Sequence, residues 1–301
     1  MKVLFHSDDF GISDEQVEAI LGCAERGCLG SVSVFANSPH LQEYLAALPE
    51  RAPRLLAGVH INFVEGRCTA PAAEIPMLAG SDGLFFNSYS RLFFRSLLPG
   101  RGKLKAQMKR EATAQIAAVR AALPAGAPLR LDTHQHTHAI PLVFDAILET
   151  IRENGLPVSY LRMPFEPIRP FLRHPSVLLR IPAENFAKQA LLFLFYLINR
   201  KKLIQSGIPS ASFSGVLLTG GVDAKTVERV LPALIAYART RGADLEILFH
   251  PGRVKRLADC PDAKKKEFVR FNLSPHREAE FTMLHEIAPF VERLRAAGQI
   301  E

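Results

Sequence analysis

Residues 131–138 read L-D-T-H-Q-H-T-H, which places one carboxylate and three imidazoles within seven positions. Imidazole is the commonest protein ligand for transition metals, so several on one face make a metal site the first hypothesis. The run follows a strand-like apolar stretch at 128–131. If the extended backbone continues, side chains alternate, and His134, His136 and His138 share one face. A solvated His-rich loop is the plain alternative, which the strand-like approach disfavours. Asp8 and Asp9 form a second group. Adjacent residues on an extended segment point in opposite directions, and Gly11 suits a turn. One carboxylate would then face a metal and the other its water, unless the pair only caps the next helix. His60, after L-L-A-G-V, alone reads as a structural histidine. Together with one carboxylate and a second imidazole it completes a three-ligand set that leaves positions open for water and substrate. The same set suits non-haem iron, so the donors do not name the metal.

These residues need strands that end together. Apolar runs predict strands at 2–5, 31–35, 55–59, 129–132, 158–161, 216–219 and 245–249. Helical periodicity fills the intervals, with Ser13 as an N-cap, Gly27 as a stop, and a last helix opening at Pro275. Asp8, Asp9, His60, His134, Arg162 and His250 each fall at or just past a predicted strand end. A parallel α/β sheet closed as a TIM-like barrel gathers such ends at one mouth. We expect one domain over 1–301, with insertions at about 64–102 and 164–209. The first carries exposed-looking aromatics: Phe85, Phe86, Tyr89, Phe93 and Phe94.

The chain has 301 residues, 48% hydrophobic, with net charge +7 and a pI near 9.4. The charge suits an anionic partner, but scattered basic residues and no recognised module argue against nucleic acid. Cys23, Cys28, Cys68 and Cys260 lack C-x-x-C spacing and read as reduced thiols. With no apolar leader before Asp8, a cytoplasmic location is expected. A helix over 185–204 combines an apolar cluster with Arg200, Lys201 and Lys202. Packing as a lid or in a homodimer is the preferred reading, and contact with an anionic membrane surface is the other.

S-D-D-F-G at 7–11, G-V-H at 58–60, D-T-H-Q-H-T-H at 132–138 and F-H-P-G at 249–252 together resemble the YdjC-like carbohydrate deacetylases, the family that includes ChbG-type chitooligosaccharide deacetylases. The resemblance runs from residue 2 to about 284. It implies a distorted (β/α) barrel and a metal-dependent hydrolase that removes acetyl groups from N-acetylated sugars; if the 185–204 helix meets a membrane, a lipid-linked amino sugar is the expected substrate. Carried over by position, it makes Asp9, His60 and His134 ligands of one divalent cation, Mg2+ or Zn2+. Asp8 becomes the general base and His250 the candidate general acid, with His138 as rival. Asp132 and His136 would orient imidazoles, and Arg162 would keep a carboxylate ionised. The chain departs from the family pattern at His6 and Ser7 and in having F-H-P rather than C-H-P. Two other classes stay open: a two-metal phosphoesterase, and a non-catalytic protein that binds sugar or a membrane surface.

Overall fold

The structure, a computed structural model, describes residues 1–220, 223–256 and 265–301. In chain order the first half is β1 (Val3–Phe10), α1 (Asp14–Arg26), β2 (Leu29–Phe35), α2 (Leu41–Arg51), β3 (Leu56–Ile61), α3 (Tyr89–Leu97), α4 (Arg101–Ala122), β4 (Leu129–Thr133) and α5 (Pro141–Glu153). The second half is β5 (Val158–Leu161), α6 (Pro175–Leu178), α7 (Ala183–Ser206), β6 (Ser212–Ser214), α8 (Ala224–Thr240), β7 (Leu245–Phe249), α9 (Lys266–Asn272), α10 (His276–Glu286) and α11 (Ala288–Ala296).

All ladders are parallel, in the order β5-β4-β3-β2-β1-β7-β6. The sheet curls into a distorted TIM-like barrel of seven strands, as expected. Among the described residues no ladder joins β5 to β6. One backbone hydrogen bond, from Leu161 N–H to the Pro209 carbonyl at 3.0 Å, crosses that seam.

Period-two alternation gives the sheet two different faces. Phe5, Val32, Val59, Leu131 and Ile247 join one buried core with helix residues such as Ile20, Val143 and Leu234. Full burial of each such side chain contributes roughly 1.5–3 kcal/mol. The opposite face carries His6, Asp8, Ser33, His60, Asp132 and Glu246, all buried polar residues. Burial without partners would be costly, so these groups must bond to each other across the lumen.

The helix ends follow the sequence. Ser13 Oγ accepts from Gln16 N–H, and Gly27 ends α1. Several expectations are corrected. β1 runs on to Phe10, so the acidic pair lies inside a strand rather than in a turn after it. The expected strand at 216–219 is instead Ser212–Ser214. Gly215, at φ 153°, breaks the ladder, and the Glu166 carboxylate takes the Val216 and Leu217 N–H groups. The C-terminal part forms three helices rather than one. In the first insertion Phe85 is buried and Tyr89 and Phe93 are half-buried, while Phe94 is exposed. Cys23, Cys28 and Cys68 are free thiols, and Cys260 lies outside the described residues.

The glycine of F-H-P-G has a backbone reason. Gly252 sits at φ +91°, and a Cβ there would stand 2.8 Å from Ala19 Cβ and 3.0 Å from Gln16 Cα. Its N–H donates to the Arg277 carbonyl, and its own carbonyl accepts from Arg277 Nε. Gly252→Ala should therefore destabilise the fold by about 2 kcal/mol or more. A urea midpoint equal to that of the parent would refute this.

Candidate metal and catalytic centre

Asp8 and Asp9 are separated by a kink in β1. Asp9 takes φ 68°, and the β1–β2 register shifts between Ser7 and Phe10. The left-handed step sends the two carboxylates to different partners. Asp8 enters the lumen, where Arg162 donates to Oδ2 from one terminal nitrogen and to Oδ1 from the other, both at 2.9 Å. Burial raises the Asp8 pKa, but the Arg162 charge, with His60 and His6, more than reverses this and holds it well below the usual carboxylate range.

Asp9 turns toward the imidazoles. Its Oδ1 lies 3.6 Å from His60 Nε2 and 3.2 Å from His134 Nδ1, and those two nitrogens are 3.3 Å apart. Asp9 Oδ1 is buried and has no hydrogen-bond partner. Ligands at ordinary bond lengths around a tetrahedral ion stand about 3.4 Å apart, so this triangle fits a metal. The other Asp9 oxygen is anchored by Arg277 at 3.0 Å.

His60 is positioned through its far nitrogen. Nδ1 bonds Asp132 Oδ1 at 2.5 Å, so with the proton on Nδ1 the Nε2 lone pair faces Asp9. Asp132 also accepts from Ser33 Oγ and pairs with Arg162 at 3.1 Å. His6, Asp8 and Asp132 form a second cluster of donor atoms within 4.8 Å. It already surrounds a guanidinium, which disfavours another cation there.

The three histidines of the motif do not share a face. β4 stops at Thr133, and His134–Ala139 is a 3-10 turn in which Gln135 and His136 take positive φ. Only His134 reaches the triangle. The His136 ring meets Phe213 edge-on at 5.5 Å, and its buried Nδ1 has no hydrogen-bond partner among the described residues. His138 is locked, with Nδ1 bonded to Thr133 Oγ1 at 2.6 Å and Nε2 to the Arg162 carbonyl at 2.7 Å. His250 is half-buried; its N–H donates to Glu280 and its ring packs on Phe271. Burial pushes the His250 imidazole down to about 4, although Asp9 opposes this.

Sequence reasoning missed several members of this network. Glu246, which accepts from Arg162 Nε at 2.5 Å, was legible as a lone acid inside an apolar strand, in phase with His250. Arg277 had no local signal, since it arrives from α10. Glu65 and Lys265, 3.6 Å apart, come from two distant segments.

A family model described as YdjC-like protein matches residues 2–289. The chain belongs to the YdjC-like family. Among curated relatives, a human carbohydrate deacetylase is 30% identical over 167 residues, covering 55% of this chain and 49% of the relative. A carbohydrate deacetylase of Geobacillus stearothermophilus is 29% identical over 159 residues, covering 53% and 59%. The chain thus spans about half the length of the curated relatives it matches. A crystal structure from Enterococcus faecalis, of a protein described as a candidate for cellobiose-phosphate cleavage, superposes with a TM-score of 0.68 at 18% identity. The match covers 99% of this chain and 95% of the other, and it shows that this YdjC-like chain shares its fold.

Glu65 supplies a pH test. Burial raises its carboxyl from 4.5 to about 7, against the pull of Lys265. The folded protein then keeps a proton that the unfolded chain releases above about pH 4.5. The stability this group provides is present below that pH and lost as pH rises through about 7. Glu65→Gln should flatten the slope of unfolding free energy between those limits, and identical slopes in urea titrations would refute it. Arg162→Met, which leaves Asp8, Asp132 and Glu246 buried without their cation, should cost about 3–5 kcal/mol. A variant with the parent's urea midpoint would sink that assignment.

Proposed function

We propose that this protein is a metal-dependent hydrolase that removes the acetyl group from an N-acetylated amino sugar, carried on an oligosaccharide or a lipid-linked glycoside. One observation carries the reading. The buried, unpartnered Asp9 Oδ1 faces two imidazole nitrogens, beside an ionised Asp8 whose oxygens are turned to Arg162 instead. Membership of the YdjC-like family and relatives named carbohydrate deacetylases support it.

Asp9, His60 and His134 would hold one divalent cation, Mg2+ or Zn2+. When bound, such a cation polarises a carbonyl and brings the pKa of water toward neutrality. Asp8 is our assignment for the acceptor of the attacking water's proton, a role that requires one of its oxygens to be released from Arg162. Arg162 and His6 keep it ionised and oriented, and Asp132 fixes the His60 ring. The amine cannot leave as an anion, so its nitrogen must be protonated. His250 is our assignment for that donor, because both ring nitrogens of His138 are engaged. Protons balance when the one that Asp8 takes from water is passed to His250 and delivered to the leaving nitrogen. Cytoplasmic residence belongs to the same proposal, in keeping with the free thiols of Cys23 and Cys28. A two-metal phosphoesterase is disfavoured, because the second cluster already surrounds Arg162.

The test is acetate release from N-acetylglucosamine, chitooligosaccharides and lipid-linked forms, with chelator and metal add-back. Asp8→Asn should retain metal and lose ~10²-fold or more in kcat, and His250→Ala at least about tenfold. His134→Ala should lose stoichiometric metal. Absence of release from every substrate, in metal-loaded protein, would overturn the proposal.

A further inference from the structure

Helix α7 carries apolar residues on two sides. Its buried stripe includes Asn185, Gln189 and Asn199. Their amide groups donate to backbone carbonyls: Asn185 to Leu217 and Thr219, Gln189 to Glu166, and Asn199 to Ala139. Leu192 and Phe195 share that stripe, and a second apolar set points the other way. Leu191, Phe193, Leu194, Leu197 and Ile198 are 38–53% exposed. A helix that packs only on its own chain keeps its outer face polar.

The exposure is not scattered. Among the described residues, every exposed large hydrophobic lies within 94–98, 168–179 or 191–204, inside the two insertions. Leu97 at the end of α3 is 63% exposed and Leu179 after α6 is 88% exposed. α3 and α7 meet where the Phe93 and Phe195 rings stand 5.4 Å apart. Both insertions leave the C-terminal ends of strands, β3 and β5, the end that carries His60 and Arg162.

Positive charge is concentrated around α3 and over the second insertion. Residues 86–105 and 164–209 hold 12 Lys and Arg against 2 acidic residues, an excess of 10. The whole chain has a net charge of +7, so the remainder is net −3. One of the two acids, Glu166, is fully buried. Within α7, residues 189–199 carry no charge, and Lys188 and Arg200 flank them.

We propose that this surface docks on an anionic lipid bilayer, with the apolar residues of α7 and the end of α3 entering the headgroup boundary and the basic residues meeting lipid phosphates. No helix of the described residues is long and apolar enough to cross a membrane, so the contact is peripheral. A second copy of the chain fits less well, because face-to-face pairing sets two strongly positive surfaces against each other. Docking turns the site-bearing end of the barrel toward the bilayer. The proposal is independent of the reaction assigned above.

The experiment is co-sedimentation of the full chain with vesicles of phosphatidylcholine alone or with about one-third phosphatidylglycerol. Binding should require the anionic lipid and weaken as salt is raised. Arg200→Gln with Lys201→Gln should weaken binding about 25-fold, near fivefold for each cation removed. Leu194→Ser with Leu197→Ser should abolish it, with melting behaviour checked in both variants. No binding to anionic vesicles overturns the proposal, as does binding that the charge variant leaves unchanged. A dimer in sedimentation equilibrium that the Leu variant disperses, without vesicle binding, assigns the surface to self-association instead.

Discussion

A guanidinium in the middle of the barrel is the constraint on which the rest of the structure depends. Arg162 is fully buried, and its side chain meets Asp8 from β1, Asp132 from beside it on β4, and Glu246 from β7. A buried cation without partners would cost several kcal/mol, and so would each of these carboxylates without it. The strands must therefore curl until their carboxylates surround one point. Association of the apolar outer face with the helices drives the fold together, but the lumen decides its curvature.

The same constraint separates two neighbouring acids. Asp8 belongs to Arg162, and its charge is fixed by that pairing. Asp9 belongs to the imidazoles and Arg277. A left-handed residue other than glycine costs of order 1 kcal/mol, and here it is held by partners on both sides. The strain gives one carboxylate a lone pair with nothing to bond, next to another that stays ionised.

Much of this was legible in the chain. Apolar runs alternating with helical periodicity gave a parallel sheet, with β5 and β7 at their observed limits and the cap at Ser13, and the polar residues at the strand ends favoured closing it into a barrel. Strand-end positions brought out Asp8, Asp9, His60 and His134 as candidates, and only the resemblance to the YdjC-like family chose Asp9, His60 and His134 among them as a ligand set. The histidine turn was not legible, because nothing local in H-Q-H-T-H announces positive φ at Gln135 and His136. β6 was misplaced for a related reason: the apolar run at 216–218 finds its backbone partners on the Glu166 carboxylate, which comes from fifty residues earlier. Arg277 was invisible, since its role depends on where α10 docks. Local pattern reports which backbone can pair, and not which distant side chain will complete it.

The seam between β5 and β6 gives the fold a modular joint. Around the rest of the sheet, lengthening a strand or slipping its register would displace lumen residues that share Arg162. Between Leu161 and Ser212, a single hydrogen bond bridges the two edges, and the long excursion that holds α6 and α7 starts and finishes there. The excursion is tied back by side chains, through Glu166 to Ser214, Val216 and Leu217 and through Asn199 to Ala139, rather than by a ladder. Among the described residues, the length of this excursion therefore sets no register among the strands that carry Asp8, His60, Asp132 and Glu246.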